Sequence, residues 1–166
     1  WGLNNKNDVD IDAPQAWGIT QGAPIIVAVI DSGIDFRNQD LASKVWVNTA
    51  EVSGNRRDDD RDGYVDDVYG WNFVNNTGNV QDDNGHGSHV SGIIGAAGNN
   101  SYGVVGVNWN ARIMPLKFLD ATGSGSTDDW WRAVGSAAWV HLDATGSPAD
   151  HADLVPPESG PALDRH

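Results

Sequence analysis

The chain is 166 residues long and carries 23 acidic against 10 basic side chains, a formal net charge of −13, with no cysteine. Such a surface repels phosphate backbones and argues against nucleic-acid binding, and the lack of thiols excludes thiol catalysis, thiolate zinc sites and disulfides. A hydrophobic content of 39% suits one globular domain, and no stretch nears the roughly 18 unbroken apolar residues of a membrane span.

The opening, Trp1-Gly2-Leu3-Asn4-Asn5-Lys6, lacks the basic segment and apolar core of a secretory leader, as expected of a processed start or of a start within a longer precursor. Asp12 to Trp17 has the grammar of a short helix, with Asp12 as N-cap and Pro14 in the first turn. Ile25 to Ile30 is a continuous run dominated by β-branched residues, as in a parallel strand buried on both faces. It ends at Asp31-Ser32-Gly33, which sets a carboxylate at the C-terminal end of a strand. That edge is where open α/β sheets bind ligands; capping a turn is the plainer use of such an Asp.

Residues 48 to 84 form a long stretch rich in Asp, Asn and Gly, broken by Val68-Tyr69-Gly70-Trp71-Asn72-Phe73. A loop that long in a compact domain is functional or tied down. Within it, Asp58, Asp60, Asp62 and Gly63 follow the Asp-x-Asp-x-Asp-Gly opening of calcium loops, where Tyr64 would lend its carbonyl. The closing Glu of an EF-hand would fall at Tyr69, so Asp66 or Asp67 must close the site. Carboxylates so crowded repel one another without a cation, which favours calcium over a merely solvated acidic loop.

His86 to about Ala97 reads as a helix whose small residues allow close packing on a sheet, and Arg112 to Leu119 as another strand with Pro115 as its weak point. Asp128 to about Val140 reads as a helix with Thr127 as N-cap. Residues 141–166 contain Pro148, Pro156, Pro157 and Pro161 and show no periodicity. They are expected to form an irregular tail beside a domain spanning 1–140.

An Asp at a strand end and a His opening a small-residue helix are two members of an acid–base–nucleophile triad. Asp31 would hold one imidazole nitrogen of His86, leaving the other to take a proton from a hydroxyl. The segments Val27-Ala28-Val29-Ile30-Asp31-Ser32-Gly33-Ile34-Asp35 and Asn84-Gly85-His86-Gly87-Ser88-His89-Val90-Ser91-Gly92 resemble, in this order, the Asp and His signatures of the subtilisin-like serine proteases. Ser88 stands where that family more often has Thr, and Ser91 where Ala is common.

The resemblance implies an α/β fold, a subtilisin-like three-layer arrangement with a mainly parallel sheet, in which Asp31 and His86 are catalytic and His89 packs within the helix. Asp12 to Trp17 resembles the family's first helix, and Asn99 to Val107 its calcium loop. By that likeness Asp40 and Asn100 supply side-chain oxygens and Gly98, Tyr102 and Val104 supply carbonyls to calcium; a plain Asn-Gly turn is the alternative. Gly123, Ser124 and Gly125 match the family's substrate edge, which pairs with an extended peptide, although Gly-Ser-Gly is also common in linkers. The implied activity is secreted endopeptidase action on peptide or protein substrates, with calcium as cofactor.

Beyond Asp128 the likeness fades, and the expected Gly-Thr-Ser-Met-Ala nucleophile segment and oxyanion Asn are not found; Ser147 and Ser159 lack that setting. A truncated or frameshifted protease is one reading, and a pseudo-enzyme that keeps calcium or peptide binding is the other. Either predicts activity near background, and an incomplete core prone to self-association.

Overall fold

In the computed structural model, which describes residues 2–143, the β-branched run becomes strand β1, Ile26–Asp31. The other elements are α1 (Ala13–Trp17), α2 (Gln39–Ala42), β2 (Trp71–Asn72), α3 (His86–Gly95), β3 (Arg112–Lys117) and α4 (Thr127–Asp143). Asp12 does not cap α1 with its side chain; it sits at φ 53° and accepts a 3.1 Å bond from the Gln15 amide instead. At α4 the capping hydroxyl belongs to Ser126, which accepts from Asp129 N–H at 3.0 Å, while Thr127 is already helical. Within the expected tail, 141–143 continue α4, and 144–166 lie outside the described residues.

The strands form a parallel sheet in the order β1-β3-β2, so the chain crosses over between sequence neighbours as α/β folds require. Side chains alternate between its faces. Val27, Val29 and Ile113 join Val90 and Ile94 of α3, whereas Ala28, Ile30, Met114 and Leu116 join Ala133 and Ala137 of α4. Helix, sheet and helix make the three layers. Ile113 and Leu116 are buried at 0% and 2% exposure, and each such side chain contributes about 1.5–3 kcal/mol. Trp130 and Trp131, unsuited to a buried aliphatic face, point outward at 40% and 51% exposure and meet edge to face at 4.7 Å.

Pro115 sits in the central strand, and hydrogen-bond parity explains why it is tolerated. Arg112 N–H donates to Ile25 at 2.9 Å and Phe118 N–H to Asp31 at 2.9 Å, so even positions of β3 bond β1. Odd positions turn the other way, as in Ile113 N–H to Lys44 at 2.8 Å. The missing N–H of Pro115 therefore faces the gap between Lys44 and β2, where no ladder bond is lost.

The same alternation aims the backbone groups of Ile26, Ala28 and Ile30 at an edge of β1 that no described strand covers. Ile25 and Ile26 are 49% and 40% exposed. The run expected to be buried on both faces is thus only partly covered among the described residues.

Candidate functional site

Asp31 ends β1 and His86 begins α3, and the turn after β1 brings them together. Gly33 adopts φ +112°, a conformation that disfavours other residues, and a Cβ on Gly87 would lie 2.3 Å from the Gly33 carbonyl. The two backbones touch because Gly87 carries no side chain, whereas a Cβ on Gly33 would lie 2.4 Å from Val80 O. Gly87→Ala should force α3 off the β1 exit and cost about 1–3 kcal/mol, measured by denaturant unfolding.

The approach places His86 Nδ1 at 2.9 and 2.8 Å from the two oxygens of the Asp31 carboxylate. Ser32 N–H also donates to Asp31 Oδ1 at 2.7 Å. The Asp31 side chain is 11% exposed and that of His86 63%, so the carboxylate lies behind the imidazole and the ring faces outward. A carboxylate on Nδ1 fixes the tautomer with the proton there, and Nε2 keeps the basic lone pair. Nε2 meets no partner among the described residues.

Lys117, in register with Asp31 on the neighbouring strand, is 2% exposed. Its ammonium donates to Ser32 O at 2.7 Å, Leu119 O at 2.7 Å and the Asp83 carboxylate at 2.6 Å. This residue was not singled out from sequence, although a lysine inside the apolar run Ile113 to Phe118 requires a buried partner and so carried a signal.

After β3 the chain turns at Asp120. Ser124 uses both backbone groups there: its N–H donates to Asp120 Oδ1 at 3.0 Å and its carbonyl accepts from Asp120 N–H at 2.8 Å. Gly123 N–H donates to Asp120 O at 3.0 Å. Of the three residues expected to bind substrate, Gly125 has both its backbone groups unbonded among the described residues. A Cβ on Gly125 would lie 2.4 Å from Phe118 O, so the position suits only glycine.

The acidic loop is brought together largely as its spacing predicts. Oxygens of Asp60, Asp62 and Asp67 lie within 4.8 Å of one another, as do those of Glu51, Asp58 and Asp60. Asp67 joins the cluster, whereas Asp66 caps Asn55 N–H at 3.1 Å and Arg56 N–H at 3.0 Å. Glu51, missed in the sequence, accepts from Asp59 N–H at 2.6 Å and Asp66 N–H at 3.0 Å. Tyr64 anchors the loop on the core, 5.0 Å from the Trp71 ring. Burial first, and then the Asp67 charge, push the Asp62 carboxyl up to about 8. Burial likewise raises Asp67 to about 6, against the opposing Asn48 amide. No lysine or arginine pairs with the cluster among the described residues. An all-oxygen, anionic donor set lacking a counter-charge fits a hard cation such as calcium.

The second loop gathers on Asp40, which is 2% exposed. Its carboxylate accepts from the Asn100 amide at 2.7 Å and from Val104 N–H at 2.7 Å. The carbonyls of Gly98, Tyr102 and Val104 accept no hydrogen bond among the described residues. These residues fit a cation only with the Asn100 amide oxygen turned inward, since both Asp40 oxygens already have donors.

A family model described as the subtilase family, Peptidase_S8, matches residues 22–155. The chain belongs to the subtilase family. It is 50% identical over 109 residues to subtilisin-like protease 1 of Plasmodium falciparum, covering 65% of this chain and 16% of that protein. It is 36% identical over 133 residues to thermitase of Thermoactinomyces vulgaris, covering 80% of this chain and 38% of thermitase. The cell wall-associated protease of Bacillus subtilis is 40% identical over 103 residues, 62% of this chain and 9% of that protein. A cold adapted subtilisin-like serine proteinase of known structure aligns with TM-score 0.50 and 27% identity over 71% of this chain and 33% of its own. The chain thus spans well under half the length of each relative. Among the described residues no helix is long and apolar enough to cross a membrane.

Proposed function

We propose that this subtilase chain carries the acid–base half of a secreted, calcium-supported serine endopeptidase site. The observation that supports this is the contact of His86 Nδ1 with both Asp31 oxygens at 2.9 and 2.8 Å on an exposed ring. In this reading His86 Nε2 accepts the hydroxyl proton of a serine as that oxygen attacks a peptide carbonyl, and returns the proton to the departing amine. The Asp31 carboxylate beside Nδ1 stabilises the imidazolium that forms. An extended peptide pairs along Gly123 to Gly125, chiefly through Gly125, and calcium is held by Asp58, Asp60, Asp62, Asp67 and the Tyr64 carbonyl, with Asp40, Gly98, Asn100, Tyr102 and Val104 as a second site. The open edge of β1 provides a route to self-association.

The competing reading is a calcium-binding or peptide-binding module without catalysis, supported by the gathered carboxylates of Glu51, Asp58, Asp60, Asp62 and Asp67. A serine-directed phosphonate separates the two. Stable modification of Ser147 or Ser159 establishes a nucleophile within the chain. Absence of labelling together with peptide hydrolysis at background places the chain alone on the module side and leaves catalysis to a complementing segment.

A further inference from the structure

We infer that Asp82 is a positioning residue for the Asp31–His86 pair, touching neither member yet holding both in place. The inference rests on reading that pair as the catalytic base and its orienter. Asp82 precedes α3, and its carboxylate accepts from both sides of the gap that the pair spans. Oδ1 accepts from Ser32 Oγ at 2.9 Å, Asn84 N–H at 3.0 Å and Gly85 N–H at 2.9 Å. Oδ2 accepts from Ser88 N–H at 2.9 Å and Ser88 Oγ at 2.6 Å.

Those bonds tie together two chain segments that are far apart in sequence. Ser32 follows Asp31, is fully buried, and its hydroxyl also accepts from Gly87 N–H at 2.9 Å. Ser88 lies two residues after His86, and its hydroxyl also accepts from Asp35 N–H at 2.9 Å. The contact between Asp31 and His86 is therefore flanked by two hydroxyl bridges, Ser32 to Gly87 and Asp35 to Ser88, and both hydroxyls donate to the one Asp82 carboxylate. Ser32 is pinned from its other end by the buried Lys117 ammonium on its carbonyl at 2.7 Å. Burial acts to raise the Asp82 carboxyl, but the donors from Gly85, Ser88 and Asn84 outweigh it and hold it far below the usual carboxylate range. A fixed anion with that many donors sets the distance and angle of the first turn of α3 against the β1 exit.

The test reads the His86 ring proton by NMR on the full chain in calcium. A proton on Nδ1 bonded to Asp31 resonates far downfield and exchanges slowly with water. Asp82→Ala should speed its exchange about tenfold or more, the effect of losing roughly one net hydrogen bond. Asp82→Asn should speed it less, because its amide oxygen still accepts on one side. The backbone amides of Ile113 and Leu116 are the internal standard, and their exchange should change less than that of the ring proton. Should Asp82→Ala fail to fold, Ser32→Ala, which removes one hydroxyl bridge, is expected to give a smaller acceleration of the same kind. Unchanged ring-proton exchange in both variants, or acceleration equal to that of the core amides, overturns the inference. A wild-type chain without the downfield proton, or one in which Asp31→Asn leaves it in place, overturns the base reading itself, and that result is visible before any change at Asp82.

Discussion

When this chain replaces the matching 38% of thermitase, the hybrid should hydrolyse peptides, and His86→Ala should lower its kcat about 10⁶-fold. Asp31→Asn should cost about 10⁴-fold, because an amide leaves the imidazole in the wrong tautomer. Both sizes are the ones known for triad enzymes, subtilisin among them. What the geometry supplies is the assignment: His86 Nδ1 is taken by Asp31, so only Nε2 is free to receive a proton. The measurement is kcat and kcat/KM on a chromogenic peptide. An active hybrid whose His86→Ala variant stays within tenfold of its parent would remove His86 from the mechanism. A fall in kcat of about tenfold in the Asp82→Ala hybrid, with KM held, would extend the positioning role to turnover.

The parts of this site that could be read from sequence were those fixed by local rules. β1 announced itself as a β-branched run closed by Asp31, and α3 as small residues opened by His86, since strand ends and helix starts are encoded within a few positions. The Asp58, Asp60, Asp62 and Gly63 series was legible for the same reason. What escaped was set by partners distant in the chain. β2 has only Trp71 and Asn72, too short for any periodicity, and exists because β3 pairs with it. Glu51 has no regular spacing to Asp58 and joins the acids only through the fold of the loop. Asp82 resembles an ordinary loop charge until Ser32 is seen beside it. The outward tryptophans of α4 were decipherable after all, since Ala133 and Ala137 are spaced i, i+4 and mark the buried face.

Removing calcium at pH 8 should lower the Tm of the chain by on the order of 10 °C, the effect of losing a ligand present at a few hundred times its Kd. The size should depend on pH in a definite direction. Burial pushes the Asp62 carboxyl up to about 8 and the Asp67 carboxyl up to about 6 in the folded chain, whereas both lie near 4 in the unfolded chain. The folded state therefore binds more protons over this window. The contribution of these two groups to stability is fully present below pH 4 and is lost progressively as pH rises through about 6 and then about 8. Calcium takes the place of those protons, so its binding releases them and its stabilising effect grows as pH rises from 5 to 8. Thermal scans with calcium and with chelator at both pH values read this directly, and the increment should be clearly larger at pH 8. Asp62→Asn provides the decisive contrast. It removes one repelling buried charge, so the chelated protein should melt higher than wild type at pH 8, while the calcium increment should shrink to what the Asp40 loop supplies. Equal increments at the two pH values, or an undiminished increment in Asp62→Asn, would mean that the acidic loop is held by its own hydrogen bonds and not by a metal.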